Sequence, residues 1–228
     1  MALGIPFMFR RVLFFLLFFI LLGCTGVRGY YLSKPIDLTQ ERLFVKNGVF
    51  SLPEIDLYIR PTNGVAFKSG VAIGFVNFYD PLLEEKEYRL DSVYYNYELL
   101  TQRPSFFYVE LLVSTKESDV ALDMSKVVLG VQSAQYHPVG YIGSMKVQSK
   151  WNYSRSLCQL DQRRQVESEK VVVLKKGEDH CLALRFDVAP PLPNSNFFVK
   201  IGGLRVNGAE IIMPKVSFET ITSIFYHP

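Results

Sequence analysis

Phe197-Phe-Val-Lys-Ile-Gly-Gly-Leu-Arg-Val-Asn-Gly-Ala-Glu-Ile-Ile-Met, residues 197–213, is the stretch from which the fold can be read. Asn207-Gly208 sits between two runs rich in β-branched and aromatic residues, 197–206 and 210–218. Asn and Gly reach positive φ at little cost, and a two-residue hairpin turn needs positive φ at both central positions. The stretch is therefore expected to be two antiparallel strands. Gly202-Gly203, inside the first run, is too short to cradle a phosphate and is expected to mark a bulge.

Moving outward, similar short runs bounded by Gly, Pro and Asn recur at 43–50, 55–60, 65–78, 106–114, 127–131, 144–151, 171–174, 181–188 and 211–222. Many short strands at regular spacing predict an all-β chain, an antiparallel β-sandwich. Residues 81–100 are the exception. Leu83, Leu90, Val93, Tyr94, Tyr97 and Leu100 partly follow helical spacing, and Glu84, Glu85 and Glu87 after Pro81 suit a helix first turn, so one short helical insertion is expected there. Residues 39–228 are read as a single sandwich domain; the alternative is two smaller β-domains divided near 138–144. The aromatic groups at 75–79 and Tyr94, Tyr95 and Tyr97 are read as core, with a protein interface or a glycan platform as the competing uses.

The chain of 228 residues carries 25 basic and 22 acidic side chains. Neither sign is concentrated, so a nucleic-acid-binding face is not expected. Gln162-Arg163-Arg164, Lys175-Lys176, Glu84-Glu85 and Glu178-Asp179 read as solvated turns.

The first residues have a different character. Arg10-Arg11 precedes an unbroken apolar run, 12–22, which ends at Gly23-Cys24. A basic start, an apolar segment and a small residue before the cut are the parts of a cleaved signal peptide, here residues 1–23. As a helix the apolar run would span roughly 17 Å, short of the roughly 30 Å of a bilayer's hydrocarbon core. Leu21-Leu22-Gly23-Cys24 resembles the lipobox of bacterial lipoproteins. The resemblance implies a diacylglycerol on the Cys24 thiol, cleavage before Cys24 and acylation of the freed amine. It also implies that Thr25, in place of Asp, favours the outer membrane in a Gram-negative cell; the alternative is the outer face of the plasma membrane. Residues 24–38 are read as the lipidated tether.

In an oxidising compartment the remaining cysteines, Cys158 and Cys181, are expected to form a disulfide rather than a metal or redox site. His137, His180 and His227 lie in no metal-ligating spacing, and the chain contains no Gly-x-Ser-x-Gly, phosphate loop, His-Glu-x-x-His or EF-hand pattern. No catalytic residue, metal ligand or cofactor site is assigned. Residues 182–191 and 199–208 resemble the last strands of immunoglobulin-like envelope domains, which again implies a sandwich.

The expectation is a lipid-anchored, non-enzymatic binding or structural module of the bacterial cell envelope with a protein partner. The alternative is an envelope hydrolase of cell-wall glycan or lipid. Replacing Cys24 by Ser tests the anchor: the wild type should take up acyl label and fractionate with membranes, and the variant should lose both. An unlabelled wild type would point to a signal anchor instead.

Overall fold

The computed structural model describes residues 25–36, 39–40, 43–46, 49–73, 76–78, 85–87, 104–147, 158–159 and 166–226. In chain order the strands begin with β1 (Thr25–Pro35), β2 (Thr39–Gln40), β3 (Leu43–Lys46), β4 (Val49–Ser51), β5 (Ile55–Pro61), β6 (Val65–Ile73) and β7 (Val76–Phe78). They continue with β8 (Glu85–Glu87), β9 (Phe107–Thr115), β10 (Val120–Asp123), β11 (Val127–Val131), β12 (Ala134–Tyr136), β13 (Gly140–Val147) and β14 (Cys158–Gln159). The last are β15 (Val171–Leu174), β16 (Asp179–Phe186), β17 (Phe197–Ile201), β18 (Leu204–Val206), β19 (Ala209–Ile211) and β20 (Lys215–Tyr226).

The described strands pair antiparallel in three sheets, so the chain is all-β and sandwich-like as expected. The first runs β12-β11-β17-β20-β1-β6-β7 with β8 beside β6, the second β15-β10-β18-β19, and the third β14-β13-β16-β9-β5-β4-β3-β2.

One buried cluster joins all three. Ile55, Leu57 and Ile59 of β5, Val109 and Leu111 of β9 and Leu184 and Phe186 of β16 meet Leu122, Leu129, Val199, Leu204 and Val216 from the other two sheets. Phe197 and Phe218 stack there, ring centroids 4.7 Å apart. At roughly 1.5–3 kcal/mol for each large apolar side chain removed from water, this cluster is the main source of stability. It takes residues from both sides of 138–144, and Gly140–Val147 is a strand of the third sheet, so no linker lies there.

The third sheet is buried on its other face too. Val49, Tyr58, Tyr108, Leu112, Ile142, Cys158, Cys181 and Ala183 form a second cluster. The cause is local: in Phe107-Tyr-Val-Glu-Leu-Leu-Val both alternating faces of β9 are apolar except at Glu110. Glu110 lies directly across from Arg60, and the two form an ion pair at 2.9 Å with side chains 0% and 4% exposed. Cys158 and Cys181 are joined by the expected disulfide, linking β14 to β16 with Cα atoms 5.5 Å apart. Its sequence separation of 23 corresponds to about 3 kcal/mol of loop-closure stabilisation on the chain-entropy argument.

Three expectations are corrected. The tether at 24–38 is a strand over most of its length: β1 pairs with β20 on one side and β6 on the other. Its Val27, Tyr30, Tyr31 and Leu32 have the bulk a pleated surface favours, and the polar residues between them do not prevent pairing. Of the acids expected to open a helix, Glu85 and Glu87 instead lie in β8, where Ala66↔Glu87 and Lys68↔Glu85 pair across strands, so neighbouring β6 overrides helical propensity. The rest of 81–100 lies outside the described residues.

The third correction concerns Gly202-Gly203, which is a corner between sheets and not a bulge within one strand. β17 leaves the first sheet before it, and β18 enters the second sheet after it. Gly203 has φ +69°, and a Cβ there would fall 2.6 Å from the Asp123 Cβ. The hairpin beyond it is as expected: Asn207 at φ 50° and Gly208 at φ 82° turn β18 into β19, with Val206 opposite Ala209.

The Arg60–Glu110 pair yields a stability prediction. Glu110→Gln should destabilise the chain by a few kcal/mol in denaturant unfolding, because it removes the opposite charge held against a buried guanidinium. The double change Arg60→Met with Glu110→Leu should recover most of that loss; a double variant as unstable as the single one would show that the charges themselves hold the sheet.

Candidate functional site

β15 and the turn that follows it gather several polar contacts at one corner of the second sheet. The turn 175–178 carries the chain from β15 in that sheet to β16 in the third. Thr115, at the end of β9, organises it. Its hydroxyl donates to the Lys175 carbonyl and accepts the Glu178 N–H at 3.3 Å, while the Gly177 N–H donates to its carbonyl at 3.2 Å. Gly177 supplies the positive φ, +72°, that the reversal requires. Asp119 closes the turn from the other side, accepting the Lys176 N–H at 2.9 Å and the Lys175 ammonium at 3.0 Å. Asn207 of the hairpin donates to Ser118 at 3.2 Å, so the Asn-Gly turn abuts the same corner.

His180 belongs to this corner as a structural donor. Its Nε2 lies 3.0 Å from the Lys175 carbonyl, and since a carbonyl only accepts, that nitrogen carries the proton. His137 does the same elsewhere, donating from Nδ1 to the Val127 carbonyl at 2.9 Å. Lys175-Lys176 and Glu178-Asp179 lie on turn 175–178 or at its end, as the sequence reading placed them. Cys24, Glu84, Arg163, Arg164, Tyr94, Tyr95, Tyr97 and His227 lie outside the described residues.

At the opposite end of β15, Glu167 and Tyr141 of β13 exchange main-chain hydrogen bonds of 2.9 and 2.7 Å. The Tyr141 hydroxyl makes a long contact, 3.5 Å, to Glu169. Burial first, then the hydrogen bond and charge of Glu167, push the Tyr141 phenol well above its ordinary range, so it remains a donor.

Between these two fixed ends β15 stands at the edge of its sheet among the described strands, paired with β10 on one side. The Met124 N–H donates to the Lys170 carbonyl at 2.7 Å, which sets the phase of the ladder. Since Lys170 lies one residue before β15 and hydrogen-bonding positions alternate, Val172 and Leu174 direct their main-chain groups at β10. Val171 and Val173 direct theirs away from it. Among the described residues neither valine has a main-chain partner on that side, and the two residues are 50% and 55% exposed. An open edge with apolar side chains can take another strand through main-chain hydrogen bonds. Sequence reading placed β15 as a strand but could not find this edge, because its openness depends on β10, which was not predicted. The visible signal was three valines set between Lys170 and Lys175-Lys176.

Asp119 makes the corner pH-sensitive. The Lys176 N–H first, then the Lys175 ammonium, hold its carboxyl below the ordinary carboxylate range. A depressed folded value means the contribution is complete above the unfolded pKa of about 3.9 and is lost as pH falls through the lower folded value. Asp119→Asn should therefore melt below wild type at neutral pH, and the gap should narrow on acidification below about pH 4. A gap constant with pH would remove the charge from the account.

No known protein family, curated protein or solved structure matches the chain.

Proposed function

We propose that the chain is a lipoprotein of the bacterial cell envelope, anchored through Cys24 and acting as a non-enzymatic binding or structural module, its partner another envelope protein. The observation that carries this reading is Leu21-Leu22-Gly23-Cys24 at the end of a short apolar segment, directly followed by an antiparallel sandwich. Two or more acyl chains give lasting attachment, at about 0.8 kcal/mol for each buried methylene. Outer-membrane placement facing the periplasm rests on Thr25, and the likeness of 182–191 and 199–208 to immunoglobulin-like envelope domains fits the same compartment.

β1 sharpens the proposal. It starts at Thr25, the residue after the proposed anchor, and is bonded on both sides within the first sheet. A lipid on Cys24 would then mount the sandwich at the bilayer surface with almost no slack, restricting its orientation. A fixed mount suits a part that must present one edge to a neighbour in the same membrane.

Affinity capture from membranes, comparing the natively processed chain with Cys24→Ser, tests the function. Reproducible recovery of an envelope complex by the anchored form, weakened in the soluble one, is the expected result. Recovery of no partner, together with turnover of peptidoglycan or lipid by the purified chain, would replace the binding role with an enzymatic one.

A further inference from the structure

We infer that the open edge of β15 pairs antiparallel with β15 of a second copy, making a two-fold dimer whose sheet runs continuously through both chains. The inference does not rest on lipidation of Cys24.

The phase of the ladder decides which groups of β15 face outward. Val171 and Val173 present outward N–H and C=O groups that no described residue pairs with, and Val172 lies between them. An antiparallel pairing centred on Val172 sets Val171 opposite the second copy's Val173 and Val173 opposite its Val171. Each such pair exchanges two main-chain hydrogen bonds, about four in all. The same register brings four half-exposed valine side chains onto one face, where they cover one another.

Charge selects this register over its neighbours. Centred on Val172, it places Glu169 of each copy against Lys175 of the other, one opposite-charge pair at either end of the valines. Centring on Val171 would set Val173 against Glu169, and centring on Val173 would set Val171 against Lys175; both put charge over apolar surface. The sequence around β15 is thus complementary to itself when reversed, which an isologous two-fold contact requires and a foreign strand does not. The Lys175 ammonium can be shared between Asp119 and the second copy's Glu169, since its bond to Asp119 is a surface pair, 64% and 46% exposed, and the Lys176 N–H holds Asp119 as well. The contact also ends cleanly, because the chain turns away at Gly177.

The flanking lysines are the device by which exposed edges discourage indiscriminate pairing. Here Lys170 and Lys176 would deter most strands, while the Glu169–Lys175 match admits a second copy in one register.

The test uses the full chain in detergent with micelles in large excess, its protein mass followed by light scattering from low micromolar to a few hundred micromolar. A concentration-dependent dimer is expected. Val173→Pro removes an N–H that β10 does not use, so the monomer should keep its melting temperature while dimerisation weakens about tenfold or more. Should that variant fold poorly, the charge variants decide alone. Glu169→Lys and Lys175→Glu should each abolish self-association by setting like charges opposite, whereas their equimolar mixture should form a heterodimer, because both end pairs are then attractive. A monomer at every concentration would overturn the inference. So would a dimer indifferent to Val173→Pro and the charge variants, or a mixture that fails to associate.

Discussion

The architecture depends on one sheet being apolar on both faces. Strands β5, β9 and β16 send Ile55, Leu57, Ile59, Val109, Leu111, Leu184 and Phe186 toward the main core. They send Tyr58, Tyr108, Leu112, Cys181 and Ala183 to the other side. A strand that is solvated on neither face cannot slip by one residue without moving an entire apolar set, yet an apolar set also waits on the opposite face. Alternation alone therefore fixes register weakly in β9. The buried Arg60–Glu110 pair removes this ambiguity, because a one-residue slip would leave two charges buried apart, at a cost of several kcal/mol. The disulfide from Cys158 adds a covalent limit on how far β16 can shift.

The other two sheets are coupled by the way the chain passes between them. Gly202-Gly203 takes it from β17 to β18, and Met213-Pro214 leads it back from β19 to β20. The hairpin between these points is thus a short excursion from the first sheet into the second. Packing at the corner is tight: the Gly202 N–H donates to the Lys126 carbonyl, and a Cβ on that glycine would lie 2.7 Å from the same oxygen. An insertion or side chain there would separate two sheets that share a core.

What could be read from the sequence was mostly what depends on local chemistry. The Asn207-Gly208 turn follows from the φ preferences of two residues, and Ile55–Pro61, Phe107–Thr115 and Val171–Leu174 follow from runs with little competing pattern. The disulfide was legible because Cys158 and Cys181 have no metal-ligating or CxxC spacing beside them that would give them another use. What failed depended on partners far along the chain. Thr25–Pro35 has glycines and charges typical of a linker and becomes a strand because β20 and β6 are there to receive it. Glu85–Glu87 has the composition of a helix start and is held extended by β6. The open edge was hidden for the same reason, since which side of Val171-Val172-Val173 is satisfied depends on β10.

The pairing of β1 with β20 links the two ends of the chain, with Val27 opposite Tyr226 and Pro35 opposite Phe218. β1 is synthesised long before β20, and contacts of such long sequence separation form slowly. Folding therefore includes an interval in which β1 stands open on one side, without the strand that completes it. That edge is a template for mispairing until residues 215–226 are available to cover it.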